Sequence, residues 1–353
     1  MHSLQEQDNL TRWNESLKVD DKKGFFEIYY LKFNDLQKNI AGWLRYTLLI
    51  SLDRPPEASV WAIFFDALNP KNNCAVKKTY PLSETQIEKE IFYFGVGPSA
   101  IFSQGARGDV KDGDFHFKWE LKFSVAEEDR VALRHYPFPF YHTGFPKTKF
   151  LAPYLKTHIS GEFSINNQTY FLDQIPAHQA HLWGREMIHS WVWGNCNTFI
   201  EDPHFCFEGL SSQLKIGSPG ENGTQEKEIL SPPLTLLYFY WEGKMYSFNS
   251  PVRWLKNTSR KSLDRWVFGG GDQKIRFAGR FYARTEDMVG VRYENPDGSS
   301  RYCHNTKTAD LVIDILKNTK SGWKNIQTLH AEKSAAFELV QPTQDDRVRL
   351  MIP

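Results

Sequence analysis

The chain alternates apolar and polar residues over most of its length. In DFHFKWELKF, residues 114–123, every second residue from Phe115 to Phe123 is apolar, and the residues between are polar or charged. A β-strand points successive side chains to opposite faces, so this pattern predicts a strand with one buried and one solvated face. Similar runs occur at 24–33, 42–52, 59–68, 274–283, 288–294 and 310–315.

Turn signals separate these runs. NPDGS at 295–299 lies between two of them and predicts a hairpin, and the Glu-Gly pair at 242–243 predicts another. Helix signals are few, although Ser83 and Gln86 form a capping-box pattern that predicts a short helix over 83–90. About eighteen strand candidates with so few helices predict an all-β protein made of antiparallel barrels or sandwiches.

The strands are numerous enough for two such units. One closed barrel of about eight to ten strands uses only half of them. Residues 135–155 contain four prolines and no alternation, which predicts a long irregular connection between the units. We therefore expect an N-terminal β domain over residues 1–155 and a C-terminal β domain over residues 156–353.

The charge balance limits the choice of partner. Lys and Arg total 43 and Asp and Glu total 42, so the formal net charge is +1. Nucleic-acid binding needs clustered positive charge, and we expect no nucleic-acid partner. Aromatic residues make up 15% of the chain, which indicates large apolar cores or a pocket for an apolar ligand.

Composition also bears on location. No apolar run approaches the roughly twenty residues of a membrane helix, and the first residues lack a signal-peptide pattern. We expect a cytoplasmic protein without an integral membrane segment, with peripheral membrane contact and oligomeric state left open. The four cysteines form no CxxC pair, and in a chain this long we expect buried free thiols.

The segment HSWVWGNCN, residues 189–197, concentrates unusual side chains. Read as a strand, it places His189, Trp191, Trp193 and Asn195 on one face. Buried indole and imidazole nitrogens need hydrogen-bond partners. This face fits either a packed core or a ligand pocket inside a barrel lumen. Just upstream lie His178, His181 and Trp183.

Other kinds of site lack a sequence signal. His178 and His181 form an HxxH pair whose spacing to the next histidines matches no zinc pattern. The chain has neither a GxSxG nucleophile elbow nor a phosphate-binding loop. We expect no metal and no cofactor.

Four motifs in order resemble the C-terminal half of tocopherol cyclase-like proteins. They are HLWGREMIHSWVWGNCNTF (181–199), YFYWEGKMYSF (238–248), RYCHNTKTADLVIDI (301–315) and HAEKSAAFELV (330–340). The opening FFEIYYLKF (25–33) is similar to that family's FFEGWYYK opening, and the pattern more distantly resembles carotenoid hydratases. The resemblance implies two lipocalin-like β-barrels.

The resemblance also implies a class of chemistry. Its members bind long isoprenoid or similar apolar molecules, and some protonate an alkene that a phenol oxygen or water then traps. Such a reaction needs a positioned acid, a dry pocket and aromatic faces that stabilise positive charge. On this basis Trp183, Trp191, Trp193 and Asn195 are expected to bind the ligand.

This chain departs from the family at its acidic positions. Cys303, His304 and Asn305 stand where cyclases show Cys-Arg-Asp, and Ala180 stands where the hydratases carry an acid. Asn cannot deliver a proton as Asp can. The candidate acids are then His181, His189, His304, Glu27 or a tyrosine, and Asn305 is a candidate ligand contact.

Three further residues keep two interpretations each. Glu27, within the apolar run FFEIYY, either faces solvent or pairs with Arg45 inside the barrel, where Arg45 would contact the ligand. Tyr246 belongs either to a core or to the pocket.

The sequence supports two functional hypotheses. The protein is either an isomerase, cyclase or hydratase relative that acts on an apolar substrate, or a non-catalytic carrier or sensor of an apolar ligand. A filled lumen would favour a third, structural role.

Overall fold

The computed structural model describes residues 24–88, 91–124, 131–216 and 229–353. These residues form strands almost throughout, which confirms the all-β prediction. The first twelve strands are β1 Phe25–Asp35, β2 Ile40–Ile50, β3 Glu57–Asp66, β4 Cys74–Pro81, β5 Thr85–Glu88, β6 Tyr93–Val96, β7 Ser99–Phe102, β8 Gly105–Asp112, β9 Phe115–Phe123, β10 Val131–Arg134, β11 Thr148–Ile165 and β12 Gln168–Gly184.

The remaining strands follow Gly184, and one α-helix lies among them. The strands are β13 Ser190–Cys196, β14 Cys206–Gln213, β15 Lys215–Ile216, β16 Ile229–Leu230, β17 Leu234–Trp241, β18 Lys244–Phe248, β19 Thr258–Ser262, β20 Arg265–Gly271, β21 Ile275–Tyr282, β22 Val289–Glu294, β23 Ser300–Thr319, β24 Gly322–Gln341 and β25 Leu350–Ile352. The helix is α1, Pro251–Lys256, and single 3-10 turns occupy Pro70–Asn72, Leu82–Glu84, Phe138–His142 and Thr285–Asp287.

The strands β1 to β12 form one sheet, called sheet A. Its order is β4-β3-β2-β1-β12-β11-β9-β8-β7-β6-β5, with β10 added beside β11, and it curls into a nearly closed barrel. In β9 the residues Phe117, Trp119 and Leu121 are buried and the residues between them are mostly exposed, as the alternation predicts. The central strands β1 and β2 are buried on both faces, so sheet A is covered on both sides there.

Sheet B contains β13, β14 and β17 to β25. Its main order is β18-β17-β14-β13-β24-β23-β21-β20-β19, and β22 pairs with β23. Both predicted hairpins are confirmed: Glu294 pairs with Ser300 across NPDGS, and Trp241 pairs with Lys244 across the Glu-Gly turn. In the second turn Glu242 and Gly243 both have positive φ, which a two-residue hairpin turn requires.

Apolar side chains form three layers. One lies inside sheet A and another on the inner face of sheet B. The third, called the inter-sheet layer, lies where the outer face of sheet A packs on sheet B. Its members include Phe26, Ile28, Tyr30, Trp43, Trp61, Leu133, Phe150, Trp193, Leu210, Tyr238, Val291, Tyr293 and Val340.

Two local predictions are wrong. Residues 85–88 form β5 rather than a helix, because Ile87 alternates with exposed neighbours and pairs with Phe94 of β6. The predicted irregular connection ends at residue 147, because Thr148 begins the long strand β11. Pro153 is tolerated inside β11 because the pairing with β12 is irregular between Leu151 and Tyr154.

The chain passes from sheet A to sheet B between Gly184 and Ser190. The predicted domain boundary at residues 155 and 156 falls within β11, a strand of sheet A. The division into domains 1–155 and 156–353 stays a prediction. The segment between Gly184 and Ser190, where the chain crosses from sheet A to sheet B, is a second position at which a domain boundary can be tested.

All four cysteines are free and buried, as predicted.

Candidate functional site

A pocket opens in the inter-sheet layer. It holds about 700 Å³ of space between its walls, including the solvent at its open mouth. Its walls are mostly aromatic and aliphatic side chains. They are Phe26, Ile28, Tyr30, Trp43, Arg45, Tyr136, Thr148, Phe150, Leu182, Met187, Ile188, Trp191, Trp193, Leu210, Tyr293 and Glu338.

Strand alternation brings these walls together. On β1 the even-numbered residues Ile28 and Tyr30 point out of the barrel, while Tyr29 points into it. On β13 the odd-numbered Trp191 and Trp193 point toward sheet A. The pocket therefore has one wall from each sheet, and its shape depends on how the sheets pack.

A carboxylate and an ammonium group meet at the pocket. Glu338 of β24 lies on the pocket wall, and the buried Lys307 Nζ donates to its Oε1 at 2.7 Å. Lys307 also donates to Asn305 Oδ1 at 3.2 Å, and its Nζ lies 5.6 Å from the ring centre of Trp193. The Cys303 thiol contacts Glu338 Oε2 at 3.8 Å. Burial raises the pKa of that thiol well above its usual value, so Cys303 is an inert neighbour.

The other charged residue of the pocket is Arg45. Its side chain lies among aromatic rings, with the guanidinium carbon 4.3 Å from the ring centre of Tyr293 and 4.7 Å from that of Trp61. Its Nε donates to Thr47 Oγ1 at 2.9 Å. Burial lowers the pKa of Arg45 from its usual value, but a guanidinium stays charged at neutral pH.

Behind the pocket wall lies a buried carboxylate with several donors, Glu208 of β14. His135 Nε2 lies 2.6 Å from its Oε1, and His178 Nε2 lies 2.9 Å from its Oε2. Trp193 Nε1 donates to Oε1 and Asn195 Nδ2 to Oε2, both at 3.1 Å. Since Trp193 is a pocket wall, this cluster fixes the orientation of that wall.

The charges in this cluster have defined causes. Burial alone would raise the pKa of Glu208, but the two histidines and their hydrogen bonds hold it well below the usual value. Burial lowers the pKa of His178 against the opposing effect of Glu208. The Nδ1 atoms of His135 and His178 have no hydrogen-bond partner in the described part of the chain. The His178 ring, whose pKa is lowered, then fits a neutral tautomer that donates from Nε2.

The lumen placement predicted for the polar-aromatic face of β13 is wrong. Trp191, Trp193 and Asn195 face the inter-sheet layer, and Val192 and Cys196 face the interior of sheet B. The reason is that sheet A covers the outer face of sheet B, so the face outside the barrel is also buried.

Glu27 neither faces solvent nor pairs with Arg45. It points into the barrel of sheet A, where its Oε1 lies 3.0 Å from His181 Nε2 and accepts a hydrogen bond from Tyr29 Oη at 3.0 Å. Arg45 lies on the outer face of sheet A. The neighbouring Leu44 on β2 points into the barrel, and successive side chains of a strand point to opposite faces. Trp183 is also inside this barrel, 4.5 Å from the His181 ring.

The other predicted residues lie around or away from the pocket. His189 is half-buried just before β13, outside the pocket wall. His304 points to the face opposite the pocket, where its Nε2 accepts the backbone N–H of Asp345 at 3.1 Å. Asn305 supports Lys307 and donates to Val289 O at 2.9 Å. Tyr246 stacks on Phe239 in the core of sheet B.

Sequence reasoning missed two glutamates and their partners. Glu208 in CFEGL and Glu338 in AFELV are single acids within apolar strands, the same signal that singled out Glu27. His135 and Lys307 carried no comparable signal. His135 meets Glu208 only because sheet A packs on sheet B, and Lys307 meets Glu338 only because β23 pairs with β24. No three metal-ligating side chains among the described residues are placed to hold a metal ion. Among the helices described here, none has the length and apolar character needed to cross a membrane.

Comparison with known proteins places the chain in a family. The sequence model of the tocopherol cyclase-like family matches residues 155–339, more than half of the chain. This protein belongs to the tocopherol cyclase-like family. The match covers β13, β14 and most of β24, which carry Trp191, Trp193, Glu208 and Glu338. No curated protein sequence matches the chain significantly.

Solved structures resemble the chain only distantly. A candidate AttH protein from Nitrosomonas europaea is 10% identical, with 93% of this chain and 98% of that chain covered and a TM-score of 0.49. OccK3 (OpdO) from Pseudomonas aeruginosa is 9% identical, with 90% of this chain and 94% of that chain covered and a TM-score of 0.14. Likenesses at this level bear on neither activity nor ligand.

Proposed function

We propose that this protein binds an apolar, isoprenoid- or lipid-like molecule in the inter-sheet pocket. One observation carries the proposal: the pocket wall is built from tryptophan, tyrosine and aliphatic side chains and includes only two charged residues, Arg45 and Glu338. Pockets for small molecules have this composition, with apolar walls and few aimed polar groups. Membership of the tocopherol cyclase-like family supports the ligand class.

Tryptophan fluorescence tests this binding. Titrating the protein with a panel of isoprenoid alcohols, acids and prenylated phenols should quench its emission, because Trp43, Trp191 and Trp193 line the pocket. Replacing the half-buried Trp191 with Ala should weaken binding at least tenfold. The matched control is Trp323→Ala, since Trp323 is half-buried on β24 and stacks under Arg276 rather than facing the pocket. Equal affinity in both variants would contradict the proposal.

The aromatic walls beside Glu338 favour a catalytic version of this function. In an alkene protonation an acid adds its proton to the double bond and leaves a carbocation. Glu338 is the carboxyl group on the pocket wall, so it would donate that proton as the carboxylic acid. Its carboxylate and the aromatic faces would then stabilise the carbocation until the phenol oxygen or water traps it and returns a proton to Glu338. Incubation of the protein with prenylated phenols, followed by mass spectrometry, should then give an isomeric or hydrated product. Glu338→Gln should lower the rate at least a hundredfold, whereas Glu332→Gln, an exposed site on the same strand, should not change it.

The Lys307 contact favours the alternative, a non-catalytic carrier. The Glu338 carboxylate is already engaged by the buried Lys307 ammonium group at 2.7 Å, and Arg45 is a second cation at the pocket. A carrier binds the ligand and releases it unchanged. Full recovery of the added ligand after incubation, together with saturable quenching, would establish the carrier and exclude the catalytic version.

A further inference from the structure

Arg45 is a buried charge that has no oppositely charged partner among the residues the structure describes. Only 3% of the residue is exposed, and its Nε donates to the neutral hydroxyl of Thr47. In the described part of the chain, no carboxylate oxygen lies within ion-pair distance of its guanidinium. A charge removed from water without a counter-charge is costly, and natural proteins rarely retain one unless a partner compensates it.

The surroundings of Arg45 orient the guanidinium but do not neutralise it. The rings of Trp61, Tyr293 and Trp43 lie 4.7, 4.3 and 6.0 Å from its central carbon. Aromatic faces attract a cation and hold it in one orientation. On the far side of Trp61 lies a second cation, with Lys77 Nζ 4.8 Å from the ring centre. Lys77 does not line the pocket, and the acids Glu294 and Glu57 lie near it.

The two charged residues on the pocket wall differ in their contacts. Glu338 is the one acid among the residues that line the pocket, and it is already paired with Lys307 at 2.7 Å. Among the described residues, no oppositely charged group contacts Arg45. An apolar pocket with one such guanidinium is complementary to a ligand that has a long apolar body and a single negative charge.

From this arrangement we infer that the ligand carries a carboxylate head group, which Arg45 binds. The inference rests on the proposed binding function and narrows its ligand class to apolar carboxylic acids. A guanidinium presents two parallel N–H groups that match the two oxygens of a carboxylate. A diphosphate, with its greater charge, would need further free cations, and Lys307 is engaged by Glu338.

The test compares ligands with one apolar body and different head groups. Farnesoic acid, its methyl ester, farnesol and farnesyl diphosphate are titrated into the full chain at pH 8, with tryptophan quenching as the readout. The acid should bind at least tenfold more tightly than the ester and the alcohol. In Arg45→Met this preference should disappear, so that the acid, the ester and the alcohol bind with affinities within about threefold of one another. The matched control Lys77→Met should keep the preference.

Each outcome has a distinct meaning. If the acid and the alcohol bind wild-type protein equally, or if the diphosphate binds most tightly, the carboxylate assignment is overturned while pocket binding stands. If none of the four probes binds, the proposed function fails and the inference fails with it. Should Arg45→Met fold poorly, the comparison of the four probes on wild-type protein decides the question alone. Arg45→Lys adds a second check and should retain part of the preference.

Discussion

Glu27, Glu208 and Glu338 each interrupt an apolar strand, and each lies within ion-pair distance of a basic side chain from another strand. Burying a carboxylate in this way stabilises a fold only when its oxygens are fully hydrogen-bonded. The three glutamates differ in whether the carboxylate is enclosed by donors or borders the pocket. Glu208 is enclosed by four donors, whereas Glu338 borders the pocket, so Glu208 contacts the pocket wall through the hydrogen bond from Trp193.

Glu208→Gln should lower the free energy of unfolding by about 3–5 kcal/mol. The new amide NH2 group would face the side chains that now donate to Glu208, and some of these donors would lose their acceptor. Urea denaturation measures this change. The control is Glu201→Gln, since Glu201 pairs with His330 at the surface and should contribute less than about 1 kcal/mol. A loss of similar size in the two variants would show that the Glu208 cluster contributes no special stability.

Acidification should destabilise the protein through His178. Burial lowers the pKa of His178 below its ordinary value of 6.5, so below that pH the unfolded chain binds a proton that the folded chain excludes. Stability therefore falls as the pH drops from 7 to 5, by up to about 1.4 kcal/mol per pH unit for this group. Unfolding of His178→Gln should depend less steeply on pH. Parallel curves for the two proteins would contradict this assignment.

Glu208 changes stability in a lower window. Its folded pKa lies well below the ordinary value of 4.5, so its contribution is complete above about pH 4.5 and is lost as the pH falls further. The pH ranges in which His178 and Glu208 change the stability are thus separate. A stability curve measured from pH 8 to pH 5 therefore has little contribution from Glu208. Burial also lowers the pKa of His304, so the difference between wild type and His178→Gln isolates the part due to His178.

Among the secondary-structure elements, β13 is tightly constrained on both faces. Its outer face carries Trp191 and Trp193, and on its inner face Gly194 lies against Phe281. A Cβ atom at Gly194 would lie 2.4 Å from the Phe281 ring, so the strand can approach β21 only without a side chain there. The pocket wall on the outer face depends on this close packing within sheet B.

Gly194→Ala should therefore lower the free energy of unfolding by about 1–3 kcal/mol, as overpacked cores do. It should also weaken ligand binding, because Trp193 would shift with the strand. Gly144→Ala is the control, since a Cβ atom there meets no other atom within 4 Å. Unfolding and fluorescence titration measure the two effects. Unchanged stability in Gly194→Ala would mean that the packing of β13 against Phe281 adjusts to the extra methyl group at little energetic cost.

The elements themselves were largely readable from the sequence, and their partners were not. Alternation predicted β9 and the turns at 242–243 and 295–299, because these features depend on neighbouring residues. The outer face of β13 was predicted as unusual, and a packed core and a lumen pocket were both left open, since alternation gives two faces without saying what covers each. Likewise Glu27 was singled out from its strand, but its contact with His181 depends on the pairing of β1 with β12.

Within the whole molecule, the inter-sheet layer joins the two sheets. Trp43 and Trp61 on sheet A and Leu210 and Val340 on sheet B are buried only because the sheets face one another. Large apolar faces of this kind are rarely left exposed in soluble proteins. Neither sheet is therefore expected to form an independent folding unit, although each has an interior of its own.

This expectation can be tested by cutting the chain between the sheets. Fragments 1–187 and 188–353, expressed separately, should aggregate or remain partly unfolded, whereas coexpression should give a soluble complex of both. Size-exclusion chromatography and circular dichroism distinguish these states. If either fragment alone were monomeric with a cooperative unfolding transition, the inter-sheet layer would be dispensable for folding. The same result would support a division of the chain into two autonomous domains.

The shared pocket has a consequence for the lifetime of the protein. Because both sheets contribute walls, a bound molecule holds the halves of the chain together, and it stabilises the folded state by an amount that grows with its concentration. Proteases act mainly on opened forms, so an occupied molecule is degraded more slowly than an empty one. The abundance of the protein in a cell would then follow the supply of its ligand, without any change in synthesis.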